Sequence, residues 1–191
     1  MPLHIVLIGA TGVFGSRIAR RLAGDARFEV TLAGRHRAAL DALASALDAR
    51  NVGVATLDVA TDDLPGTLAR LKPRLVIHAA GPFQDRDYRV AEACIECGSD
   101  YVDLADGRDF VTGIRQLHER AQRAGRRVVS GASSVPALSS AVVDALLPRF
   151  AALDSIEHAI SPGNRTPRGD ATVASILGYV GQPIRIWRDG A

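Results

Sequence analysis

An apolar run, Leu3-His-Ile-Val-Leu-Ile8, ends in three glycines spaced three apart, Gly9, Gly12 and Gly15, and an amphipathic segment follows at once. That order describes a strand, a tight turn and a helix. Glycine turns through positive φ without steric cost and lets another backbone, or a ligand, come close. The helix that follows offers unpaired N–H groups and the positive end of its dipole, a combination that binds a diphosphate. The spacing is G-x-x-G-x-x-G rather than G-x-G-x-x-G, so the weight falls on the context, which is that of a dinucleotide site. Phe14, Ile18 and Leu22 recur at helical spacing, Arg17, Arg20 and Arg21 lie off that stripe, and Gly24 supplies a stop. The same pattern without a ligand would be a structural strand-turn-helix.

The alternation continues along the chain. Strands are expected at 3–8, 28–33, 52–57, 74–79, 100–104 and 127–130, and helices at 13–23, 37–49, 62–71, 86–97, 109–124 and 136–147. Helical stripes recur, as in Leu40, Leu43, Leu47 and in Phe110, Ile114, Leu117, Ala121. Repeated βα units predict an α/β fold, a doubly wound parallel Rossmann sheet ordered 3-2-1-4-5-6. The rhythm breaks near residue 131. Residues 1–132 read as the nucleotide-binding domain and 133–191 as a connecting helix and the start of a largely missing α+β domain. Ser155–Ile160 alternates like a half-exposed strand, 161–170 is a turn-rich loop, and the chain reaches Trp187–Ala191 without closing a unit.

Hydrophobic residues make up 47% of the 191, enough for a sizeable core, and the net charge of +2 gives no reason to expect nucleic acid as a partner. No leader pattern precedes the first strand and no apolar run approaches a membrane span, so a cytoplasmic protein is expected. Cys94 and Cys97 form a C-x-x-C, but with Val90 they share one helical face that Gly98 closes. Thiols at the C-terminal end of a helix and facing a core are packing groups, and no second pair exists to complete a zinc site.

The second strand ends in Ala33-Gly34-Arg35-His36-Arg37 with no carboxylate to hold a ribose 2′-hydroxyl. Gly34 leaves room and Arg35 offers a planar cation suited to a 2′-phosphate, which predicts NADP(H) over NAD(H). Arg37 is a second candidate. Asp58, after the third strand, either accepts from the adenine amine or caps the next helix together with Thr61 and Asp62. His78 reads as a satisfied core histidine.

Gly9-Ala-Thr-Gly-Val-Phe-Gly15, Ala33-Gly-Arg35, Ala80-Gly-Pro-Phe83, Ala93-Cys-Ile-Glu-Cys-Gly98 and Asp100-Tyr-Val-Asp-Leu104 occur in this order, followed by Val129-Ser-Gly-Ala-Ser-Ser-Val-Pro136. Together they resemble the N-terminal domain of the saccharopine dehydrogenase-like oxidoreductases. The resemblance implies a nicotinamide-dependent oxidoreductase acting on amino-acid conjugates through a C–N bond, or on other substrates including enoyl groups. It places cofactor contacts on Gly9, Thr11, Gly12, Val13, Phe14, Gly15, Arg35, Asp58, Ala79, Ala80 and Gly81. It implies a small-molecule substrate and leaves room for a homodimer at full length. It supplies no acid or base: Asp103, Tyr101 or a residue beyond Ala191 could donate a proton, with Asp103 reading better as a structural carboxylate.

Two rival readings follow from the same residues. An extended short-chain dehydrogenase needs a Tyr-x-x-x-Lys pair, but Lys72 is the only lysine and Leu68 stands four residues before it. A non-catalytic NADP-binding redox sensor would use the glycine turn and Arg35 equally well.

Overall fold

Strands buried on both faces form continuous apolar runs, and six of them build one parallel sheet in the order β3-β2-β1-β4-β5-β6. The computed structural model describes residues 1–183 except 61–62, 85, 162, 164 and 166–168. The strands are β1 Leu3–Ile8, β2 Phe28–Gly34, β3 Val52–Thr56, β4 Leu75–His78, β5 Asp100–Asp103 and β6 Val128–Val129. The helices are α1 Val13–Leu22, α2 Arg37–Leu47, α3 Leu64–Leu71, α4 Arg89–Glu96, α5 Arg108–Gly113, α6 His118–Ala124, α7 Ser139–Leu146 and α8 Asp170–Gly178. The doubly wound architecture expected from the sequence is the architecture observed.

Alternation along β1 separates two cores. Leu7 joins Val30, Leu32, Ala19 of α1 and Leu40 of α2 on one face. Val6 and Ile8 join Val76, Tyr101, Leu68 of α3 and Val90, Ala93 and Cys94 of α4 on the other. Burying a side chain of this size contributes about 1.5–3 kcal/mol, so the two faces together hold the sheet rigid beneath its carboxyl edge. Burial pushes the Cys94 thiol up, and the half-buried Cys97 thiol is also pushed up by burial while its Sγ donates to the Pro65 carbonyl at 3.0 Å. Both shifts oppose thiolate chemistry, as packing groups require.

Several expectations need correction. The helix expected over 109–124 is interrupted by a tighter 3-10 turn at Ile114–Leu117. Beside this break the Tyr88 hydroxyl donates to the Phe110 carbonyl at 3.0 Å and fills the space a side chain at Gly113 would need. The helix expected at 136–147 opens instead with a wide turn over Ser134–Leu138, since Pro136 has no N–H and Leu138 reaches back to the Ser133 carbonyl at 3.1 Å. Ser155–Ile160 forms no strand: neither edge of the sheet, β3 or β6, takes it as a partner, and its residues are exposed. Among the described residues the segment after β6 carries helices and irregular chain but no strand. Trp187–Ala191 and parts of the 161–170 loop lie outside the described residues. No helix among the described residues is long and apolar enough to cross a membrane.

Candidate functional site

Parallel ladders align the ends of four strands at one edge, and the chain continues each ladder one step past the strand. The Gly9 amide donates to Ala33 at 2.9 Å, Ala79 to Ile8 at 2.9 Å and Leu57 to Gly34 at 2.9 Å. The turns after β1, β2, β3 and β4 are thereby set side by side, where α/β proteins bind nucleotides.

The three glycines do different work. Gly9 has φ +78°, and a Cβ there would lie 2.7 Å from the Ala80 nitrogen and 2.8 Å from the Ala79 carbonyl carbon. A Cβ on Gly15 would strike the Gly9 carbonyl oxygen and sit 2.8 Å from its carbon, so Gly15 lets α1 pack under the turn. Gly12 is exposed and caps α1 without any side-chain cap; the first turn of that helix holds no acidic residue. Its free amides and dipole face open space suited to an anion. The protein's own packing requires two of the glycines, and the third keeps the approach to the helix clear. This cradle fits a diphosphate.

A cleft of about 310 Å³ lies above the turn. Gly9, Thr11, Gly12, Val13, Phe14, Arg35, Asp58, Ala79, Ala80 and Gly81 all line it. Gly15, the remaining candidate, is buried beneath. Phe14 departs from the expected core stripe: it is 52% exposed, whereas Ile18 and Leu22 pack in the core. In the first turn of α1 it faces the cleft rather than the sheet.

Arg35 is exposed and makes no ion pair among the described residues. The second candidate, Arg37, is committed elsewhere, its Nε donating to both carboxylate oxygens of Asp41 at 2.9 Å. Asp58 accepts from the Ala60 amide at 2.9 Å. The N-cap of α3 is Asp63, whose carboxylate accepts from Gly66 at 3.0 Å; Thr61 and Asp62 lie outside the described residues.

The sequence reading missed His36, Arg86, Gly169, Asp170 and Thr172, all of which line the same cleft. His36 adjoins Arg35 and could have been found by position alone. A second lobe of about 350 Å³ shares Phe14, Ala79, Gly81 and Thr172 and runs over the ends of β4, β5 and β6. Its walls include Pro82, Phe83, Leu104 and Leu138, with no cationic side chain. Its one carboxylate, Asp106, is held by Ser175 Oγ at 3.1 Å and Gln84 Nε2 at 3.3 Å. Ser175 Oγ in turn accepts from Gln84 Nε2 at 2.6 Å, which pins α8 against this edge.

Neither expected proton donor within the chain lines either lobe. Asp103 is fully buried, its Oδ1 accepting from the amides of Ala105 and Gly131 and from Ser130 Oγ, each at 2.9 Å, as a structural carboxylate does. Tyr101 is 1% exposed, its hydroxyl is pushed up by burial and by Asp103, and it shares a 3.1 Å hydrogen bond with His78 Nδ1. His78 is a core histidine but only half satisfied, since Nε2 has no partner among the described residues. Burial, with a smaller push from Arg86, lowers its pKa to about 4. The unfolded chain, near 6.5, binds the proton first, so this stability is present above pH 6.5 and is lost as pH falls toward 4. The expected loss is up to about 3 kcal/mol across that window, read as a falling urea midpoint, and His78→Gln flattens the profile.

The comparisons agree with this geometry. The family model of the saccharopine dehydrogenase NADP binding domain matches residues 5–129. A putative trans-acting enoyl reductase of Mycobacterium tuberculosis is 36% identical over 142 residues, covering 69% of this chain and 33% of that protein. A probable mitochondrial saccharopine dehydrogenase-like oxidoreductase of Arabidopsis thaliana is 29% identical over 148 residues, 70% of this chain and 32% of that protein. The chain therefore spans about a third of the length of these curated relatives. The apo structure of saccharopine dehydrogenase (L-Glu forming) from Saccharomyces cerevisiae superposes with a TM-score of 0.61 at 22% identity, over 76% of this chain and 32% of that one, a likeness of fold. With the glycine cradle, the open helix N-terminus and a match over most of the nucleotide-binding unit, the chain belongs to the saccharopine dehydrogenase NADP-binding domain family of oxidoreductases, and its cofactor is NADP.

Proposed function

We propose that this chain is the cofactor-holding part of an oxidoreductase that moves a hydride between NADP(H) and a C=N, C=O or C=C bond. The observation that carries the reading is the two-lobed cleft: a polar lobe over the glycine turn continues into an apolar lobe over β4–β6. The bound cofactor would supply the hydride. The chain's residues bind and orient it. The first turn of α1 holds the diphosphate, Arg35 and His36 hold the 2′-phosphate, and Asp58 accepts from the adenine amine. Ala79, Ala80 and Gly81 keep the passage between the lobes narrow, and Pro82, Phe83 and Leu104 exclude water from the reacting end. Residues 133–183 open a further domain on this reading. The exposed Leu138, Val142, Leu146, Phe150, Ile156 and Ile160 support it, since apolar surface of that extent calls for a covering partner.

Calorimetry on the folded chain tests the cofactor assignment directly. NADPH is expected to bind more tightly than NADH, and no turnover is expected from the 191 residues alone. Absence of binding heat with both nucleotides would sink the reading. In a longer protein carrying this chain, oxidation of NADPH with keto acids, imines or enoyl thioesters would identify the substrate bond. Tight binding with none of these oxidations would favour the redox-sensor alternative.

A further inference from the structure

Arg86 belongs to none of the motifs, yet it lines the polar lobe together with Gly12, Val13 and Ala80. Two other arginines near this edge are committed elsewhere. Arg37 holds Asp41, and Arg89 holds Asp87 at 2.6 Å while its other nitrogen donates to the Ala60 carbonyl at 3.0 Å. Arg86 makes no ion pair among the described residues. Its Nε donates to the Pro82 carbonyl at 3.4 Å, which ties the stem to the turn leaving β4. A guanidinium carries five N–H donors, so this tether leaves the two terminal nitrogens available.

Position selects the phosphate. Arg35 leaves β2, whereas Arg86 is carried by the segment leaving β4, and β1 lies between those two strands. The 2′-phosphate belongs to the β2 side. The diphosphate crosses the end of β1, beside Gly9 and Gly12. The first turn of α1 comes to it from the face of the sheet that α1 covers, and the segment leading into α4 comes from the other face. Asp58 and Asp170 also line this lobe, and their charges make a cation facing the phosphates more necessary.

We propose that Arg86 is a second ligand of the cofactor's diphosphate, gripping it from the face of the sheet opposite α1. The assignment rests on the cofactor reading above and adds a residue to it. The diphosphate is common to both pyridine nucleotides, so Arg86 must serve both alike, whereas Arg35 discriminates between them.

The test is calorimetric titration of the chain with NADPH and NADH, for the wild type, Arg86→Gln and Arg86→Lys. Arg86 is exposed, so both variants should keep the wild-type melting temperature. Arg86→Gln is expected to weaken both nucleotides by the same factor, about 10-fold or more, and Arg86→Lys to recover a large part of that loss because it restores the charge. Unchanged affinities in Arg86→Gln would overturn the assignment while leaving NADP binding intact. So would a loss confined to NADPH, which would move Arg86 to the 2′-phosphate. Arg86→Lys as weak as Arg86→Gln would also overturn it, pointing to a planar stacking contact. Failure of the wild type to bind either nucleotide would take down the cofactor reading and this one together.

Discussion

Gly9→Ala is expected to lower the melting temperature by roughly 5–15 °C and to remove measurable NADPH binding. Two separate effects act at this position. The backbone stands at φ +78°, where an L side chain costs about 1–2 kcal/mol. The added Cβ also comes within 2.9 Å of three backbone atoms of Ala79 and Ala80. Those atoms belong to the turn leaving β4, which is fixed by the Ala79 amide on the Ile8 carbonyl at 2.9 Å, so the strain cannot be relieved by a rotamer change. Overpacking of this kind costs about 1–3 kcal/mol, for a total of roughly 2–5 kcal/mol. The movement that relieves it would pull β4 from β1 at the edge where the cofactor sits. Gly53→Ala is the matched control: nothing lies within 4 Å of its Cβ, and it should be neutral or slightly stabilising. A Gly9→Ala chain that melts and binds like the Gly53→Ala control would show that the turn is not built as described. Urea unfolding and calorimetry read both arms.

The sheet was legible in the sequence because parallel strands covered on both faces leave uninterrupted apolar runs, as in Leu75-Val-Ile77, and because each helix carries its own stripe. The two glycines that protein packing demands were legible for a related reason: no other residue fits them. Reading failed where the cause lies far along the chain. The helix expected over 109–124 tightens where Tyr88 packs on Gly113, a contact that periodicity around Gly113 cannot reveal. Ser155–Ile160 alternates as a strand should, but alternation does not create a partner, and neither sheet edge takes it. Phe14 matches the core stripe in spacing, yet in the first turn of α1 it faces ligand space. In the site, Arg35 was legible because it follows a strand end whose role the fold defines. Arg86, Gly169, Asp170 and Thr172 reach the same cleft through tertiary folding, the last three at the start of a helix held by Gln84 and Asp106, and no local signal marks them. His78 shows the intermediate case: its burial was legible, its unpartnered nitrogen was not.

Arg35→Ala should separate the two nicotinamide cofactors. Loss of one charged hydrogen-bond set of about 1.5–3 kcal/mol lowers NADPH affinity by roughly 10- to 150-fold, while NADH, which lacks the 2′-phosphate, should barely move. The structure supplies the reasons to expect so large an effect from one residue. Arg37 cannot substitute, since it is held by Asp41 at 2.9 Å, and Gly34 places no side chain between the strand end and the ligand. His36, the other nitrogen-bearing side chain in this part of the cleft, is exposed and lacks the planar fork of donors with which a guanidinium grips a phosphate. Equal losses for NADPH and NADH would mean that Arg35 acts through the adenine or through the shape of the β2 turn. The discrimination would then have to come from His36 or Arg86, and Arg86→Gln would show it as a loss confined to NADPH.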